Sequence, residues 1–128
     1  MSPSSTELAT ALHRSLCLEV RIEEIEQGIL FVHTPLHFAD GDEYQIYLRL
    51  LPSGSVRVSD FGHTLMQLSY DIDIEELTLG SKAESLTQIL RVNGARMENG
   101  EVFIETTNAH LANAVFRMGQ TITSMCAI

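Results

Sequence analysis

The sequence predicts an α+β fold: an antiparallel sheet built from sequential hairpins, with N-terminal and long C-terminal helices packed on it. Three observations predict this. Apolar and polar residues alternate along Leu18–Glu23 and Tyr44–Leu50, the period of half-buried strands. Short turn signals, Gln27-Gly28, Ser53-Gly54 and Asn99-Gly100, separate strand-like runs and favour hairpins. Leu8, Leu12 and Leu16 at one end, and Leu111, Val115, Met118, Ile122 and Met125 at the other, keep helical spacing.

Taken in order, residues 1–4 read as a loose tail. Ser4 and Glu7 have capping-box spacing, so a first helix is predicted over residues 5–17. Leu18, Val20 and Ile22 then alternate with Glu19, Arg21 and Glu23 as a strand, and Ile29–Thr34 returns as a second that Pro35 stops. Asp40-Gly41-Asp42 is turn chemistry, and the clearest strand, Glu43–Leu51, follows it. Pro52 to Ser55 turns the chain into a return strand around Val56 and Val58. Ser59 or Asp60 then caps a short helix carrying Leu65 and Leu68, and residues 70–80 read as an acidic connection. Ser81 and Glu84 repeat the capping-box spacing before a helix that Asn93-Gly94 ends. Asn99-Gly100 is a two-residue hairpin, and Asn108 caps the final helix. The final stripe suits packing on the sheet, and its 4-3-4-3 spacing also suits a homodimer through the C-terminal helix.

Composition bounds the function classes. A chain of 128 residues reads as a single domain, 1–128, long enough to bury about two-thirds of its unfolded surface. No apolar run reaches the ~20 residues of a membrane span and the start lacks a signal-peptide pattern, so a cytoplasmic protein is expected. Cys17 and Cys126, far apart in the chain, are expected as reduced thiols, with Cys17 on or beside a buried helix face. The net charge is −9 with one lysine among eight basic residues, which leaves no basic footprint for direct binding of nucleic acid. The acids cluster at Glu23-Glu24-Glu26, Asp40-Asp42-Glu43 and Asp71-Asp73-Glu75-Glu76. Such clusters keep a surface solvated, bind a basic partner, or imitate nucleic acid.

Chemistry has few candidates. Asp40 and Asp42 flank Gly41, a carboxylate pair that suits a hard cation, although the further oxygen ligands of a calcium loop are missing. Both also suit a turn that launches a strand. Asp60 follows a strand end and precedes Gly62-His63, so Asp60 and His63, with His33 and His37, are candidates for an acid–base or metal centre. As a helix cap, Asp60 would be worth ~1 kcal/mol without any chemistry. His13 and His110 belong to helices, while Arg49 and Arg57 suit cross-strand pairs with acids. No nucleophile elbow, phosphate loop or dinucleotide pattern is present, and no cofactor is expected.

The run Thr34-Pro35, Asp40-Gly41-Asp42, Ile46-Tyr47-Leu48 and Val58-Ser59-Asp60-x-Gly62-x-Thr64-Leu65 resembles a bacterial and phage family, domain of unknown function 1828. The later Leu86–Gly94, Asn99-Gly100-Glu101 and helical ending match its layout, so the resemblance covers about residues 17–125. It departs at Phe61, where a small or acidic residue is more typical. The family carries no activity to transfer, and its occurrence in phages and mobile elements implies interference with or regulation of a host machine. By layout alone the chain is also similar to small acidic, dimeric secretion chaperones. The reading favoured is a non-catalytic acidic domain that binds and modulates a protein partner, one that is basic or itself binds nucleic acid. The alternatives are a metal-dependent or acid–base enzyme using Asp40, Asp42, Asp60 and His63, a nucleic-acid mimic, or a chaperone-like dimer.

Overall fold

A computed structural model describes residues 2–128. The order is α1 (Ser5–Glu19), β1 (Arg21–Glu26), β2 (Ile29–His33), β3 (Tyr47–Leu50), β4 (Val56–Ser59), α2 (His63–Leu68), α3 (Ile74–Thr78), α4 (Ala83–Val92), β5 (Arg96–Glu98), β6 (Glu101–Thr106) and α5 (Leu111–Cys126). The class is α+β, as the alternation and turn signals predict. All strand pairs are antiparallel, in the order β1-β2-β3-β4-β6-β5, so the last hairpin joins the sheet by its second strand.

Alternation decides the two faces. Leu30, Leu48, Val58 and Ile104 fall in register across β2, β3, β4 and β6 and point into the core. The opposite face carries Phe31, Tyr47, Arg57, Ser59, Phe103 and Glu105. Helix α5 lies on the core face over β4 and β6. Its Met118, Ile122 and Met125 are buried there beside Ala114, so most of the sequence's 4-3-4-3 stripe packs within the chain. Tyr44 and Thr123 hydroxyls hydrogen-bond at 2.8 Å, and Arg117 Nη1 donates to the Asn93 carbonyl at 2.9 Å, tying α5 to the loop before β3 and to the end of α4.

Local chemistry matches the sequence at several ends. The Ser4–Glu7 capping box forms, with Glu7 N–H donating to Ser4 Oγ at 3.2 Å. Asn99 and Gly100 both have positive φ, 52° and 82°, the pair a two-residue type I′ turn requires. Of the expected loose tail, Ser2 to Ser4 are exposed, and Met1 lies outside the described residues.

Other expectations are corrected. Helix α1 runs on to Glu19, so Leu18 is helical and the strand starts only at Arg21. Strand β3 is confined to Tyr47–Leu50, although Val32 N–H still donates to the Ile46 carbonyl at 2.8 Å. The acidic connection contains α3, whose first turn is capped by the Asp73 carboxylate accepting from Glu75 N–H at 3.0 Å. The box at Ser81 does not form, because Ser81 Oγ donates to Glu76 and α4 starts without a side-chain cap. Asn108 opens a 3₁₀ turn instead of capping α5. Both cysteines are exposed and free, so Cys17 is not on a buried face. The expected packing of the N-terminal helix is the largest departure, since no residue of α1 is buried.

Candidate interaction surface

Two of the residues with chemical potential in the sequence, Asp40 and Asp60, are held in structural roles. Asp40 Oδ1 accepts from Asp42 N–H at 2.9 Å, and its Oδ2 accepts from Gln67 Nε2 on α2 at 2.5 Å. The Asp42 amide hydrogen bond holds the Asp40 carboxyl below its ordinary pKa. Asp42 itself is exposed in the turn. Asp60 is fully buried: Oδ1 accepts from Gly62 N–H at 2.8 Å and from Val102 N–H on β6 at 2.9 Å, and Oδ2 from Thr64 N–H at 3.1 Å. It is thus a clamp that starts α2 and fastens β4 to β6, and it acts from two residues before Gly62, which occupies the cap position. His63 begins α2 with its ring 6.0 Å from Phe38. The structure does not bring Asp40, Asp42, Asp60 and His63 into one metal set: among the described residues no group of three or more His, Cys, Asp or Glu is placed to hold an ion.

The outer face of the sheet is similarly closed. Ser59 Oγ donates to Glu101 at 2.5 Å and accepts from Phe61 N–H at 2.9 Å. Arg57 donates to Glu105 at 2.7 Å and to Glu101 at 3.4 Å, while its guanidinium lies 4.0 Å above the Phe103 ring. The pairing of Arg57 with acids is the one the sequence suggests; Arg49 stands opposite Arg57 on β3. Phe61 takes a left-handed φ of 51° and stacks on Tyr47 at 4.4 Å, a contact that offsets the cost of that backbone. Burial raises the Tyr47 phenol above its ordinary pKa, and its hydroxyl donates to Gln45 at 2.7 Å.

An unsatisfied surface lies elsewhere. Over β2 and β3 the core face of the sheet opens into an apolar groove of about 560 Å³. Leu30, Val32 and Leu48 form its floor, and Leu111, Ala112, Val115 and Phe116 of α5 one wall. Thr34-Pro35-Leu36 closes one side, and Leu16, Glu19, Val20 and Ile22 make the edge toward α1. Among the described residues, Glu19 is the only charged one in the lining and Thr34 the only other polar one. Beyond that edge, Leu8, Leu12 and Leu16 recur one turn apart along α1 and remain about half exposed, and Phe116 on the far wall is 66% exposed. Single exposed leucines are ordinary, whereas a contiguous stripe beside an apolar groove makes a larger exposed apolar patch than scattered residues do.

Comparison with known proteins adds one match. The model of a family described as Domain of unknown function DUF1828 matches residues 34–125. The chain belongs to this family. No curated protein and no solved structure matches it. The DUF1828 match contains the Asp60 clamp, the outer face apart from Phe31, and the α5 wall of the groove, while α1, β1 and β2 precede it. The groove therefore joins a wall inside the DUF1828 stretch to an edge that lies before it.

The sequence showed the Leu8-Leu12-Leu16 stripe but gave no reason to single out Phe116, Leu36 or Leu30. Their grouping depends on contacts between segments that are distant in the chain.

Proposed function

We propose that this domain works by protein–protein docking, through the apolar groove and the neighbouring α1 surface, and not by catalysis at its acidic turns. The observation that carries the reading is the groove, apolar throughout except for Glu19 and Thr34. Small-molecule sites of comparable volume combine apolar walls with several convergent polar groups that fix the ligand. Here those groups are missing, and Glu19 would repel the carboxylate of a fatty acid. Uncharged apolar side chains carried on a helix suit the site better, in the manner of an amphipathic helix laid in a groove. The net charge of −9 disfavours nucleic acid. Among the described residues no helix is long and apolar enough to cross a membrane.

The test is a photo-crosslinking amino acid placed at position 116, in the groove wall, with the protein expressed in its native host. A discrete protein adduct, absent when the crosslinker is moved to an exposed site on the outer rim such as Glu98, is expected. Finding no protein adduct at position 116 would overturn the reading.

A further inference from the structure

We propose that the groove is filled by α1 of a second copy of this chain, in a reciprocal exchange that builds a two-fold homodimer. This inference rests on the docking reading above and names the partner. It begins with α1 itself, which has 15 residues and none buried. A helix of that length is marginal in water when nothing packs on it, because nucleation is costly and propensity repays little. The Ser4–Glu7 box stabilises one end by ~1 kcal/mol, which does not account for a stripe of three leucines. The chain thus carries a helix that lacks a partner and a groove that lacks an occupant.

The same molecule does not join the two. Only Val20, with extended backbone, separates Glu19 from Arg21, so α1 has no loop with which to fold back over the sheet. Its Leu16 reaches the groove edge, and Leu12 and Leu8 continue past it. Between two copies related by a dyad, each helix meets the other's groove, and one contact made twice closes the assembly without leaving a free site.

Area and charge agree with this occupant. Leu8, Leu12, Leu16, Ile22, Leu36 and Phe116 are each 40–66% exposed. Together they expose roughly 600 Å² of apolar surface per chain, which meets the apolar share of a stable interface burying ~800 Å² per partner. The leucine face of α1, completed by Ala11 and Ser15, carries one charge, Glu19 in its last turn. In a chain of net charge −9, α1 bears only Glu7, Glu19 and Arg14, so its approach to a second copy meets little repulsion.

Sedimentation velocity of the full chain across a wide concentration range tests the proposal. A dimer is expected, and Leu12→Asp on α1 and Phe116→Asp on the groove wall should each weaken it by about 100-fold or more. Both positions are exposed, so far-ultraviolet circular dichroism of the dilute variants should match the parent. The decisive arm mixes the two variants. Reciprocal exchange predicts recovery of a heterodimer, because the intact helix of Phe116→Asp meets the intact groove of Leu12→Asp. A monomeric parent, a dimer indifferent to both substitutions, or no recovery in the mixture would overturn the proposal. Crosslinks from position 116 separate this failure from that of the docking reading. Adducts to α1 of the same protein support the exchange, adducts only to another protein overturn it and leave the docking reading standing, and no adduct overturns both.

Discussion

Helices α1 and α5 are nearly equal in length, 15 and 16 residues, and both carry an apolar stripe, yet α5 buries six residues and α1 none. The difference lies in their surroundings. Helix α5 follows a 3₁₀ turn after β6, lies over β4 and β6, and is fastened through Thr123 and Arg117. Helix α1 runs through one extended residue into an edge strand that is itself exposed along its whole length. Periodicity determines which face of a helix is apolar, and the connections determine whether the same chain covers that face. The half of the molecule around α5 and Asp60 buries its apolar stripe within one chain, whereas the half around α1 and the groove leaves apolar side chains exposed.

The comparison breaks most visibly at the Asp60 clamp. Asp60→Ala leaves the amides of Gly62, Thr64 and Val102 without their acceptor and should cost about 3–5 kcal/mol, seen as a lower urea midpoint. If Asp60 served catalysis and not the fold, its removal would leave stability nearly unchanged, and the half around α5 and Asp60 would have been misassigned. Next in size is a matched pair of truncations. Met118→Ala, at a fully buried position on α5, should cost ~2–5 kcal/mol, while Leu12→Ala on α1 should shift the unfolding of the dilute chain by less than ~0.5 kcal/mol. Equal losses at the two sites would show that α1 is already covered within the monomer.

What was legible in the sequence was chemistry that closes within a few residues. Ser4 with Glu7, Asn99 with Gly100, and Gly94 at the end of α4 each carry their own partners or backbone freedom, and each forms as expected. The reading went wrong where a distant group outbid a near one. Ser81 has the spacing of a cap, yet its hydroxyl turns to Glu76. Glu43 to Ile46 alternate like a strand, yet Phe38 and Tyr44 lie against each other in the core and keep that stretch irregular before β3. Asp60 was readable as a cap on α2, whereas its bond to Val102 spans 42 positions and leaves no local trace. The groove was illegible for the same reason, since its floor, walls and edge come from four separated stretches.

Smaller effects probe how firmly α5 is held. Tyr44→Phe removes the hydroxyl that meets Thr123 and should cost ~1 kcal/mol, with the double change Tyr44→Phe and Thr123→Val costing less than the sum of the two singles. Strict additivity would mean that the two hydroxyls do not act together and that packing alone anchors this end of α5. Arg57→Lys on the outer face should cost about as much, because a lysine keeps the charge near Glu105 but cannot lie flat over Phe103.

The smallest expected effect concerns acid, and it bears on the turn that ties Asp40 to α2. The Asp42 amide hydrogen bond comes first among the causes that hold the Asp40 carboxyl below its ordinary value of 3.8, with Gln67 adding to it. A folded-state pKa below the unfolded one means that the unfolded chain binds the proton more readily. The stabilisation is therefore fully present above pH 3.8 and is lost as pH falls below it, through the depressed folded value. Asp40→Asn should remove this dependence and leave the chain above that range close to the parent. Because Asp40 is exposed, the effect is reduced by solvent, and added salt should narrow it further. The measurement is the urea midpoint from neutral pH down to pH ~2.5, taken on a Leu12→Asp background so that no dissociating partner adds its own pH dependence. A parent curve that Asp40→Asn leaves unchanged would remove the turn from the half around α5 and Asp60. Of Asp40, Asp42 and Asp60, it would leave Asp60 as the carboxylate with a fold role.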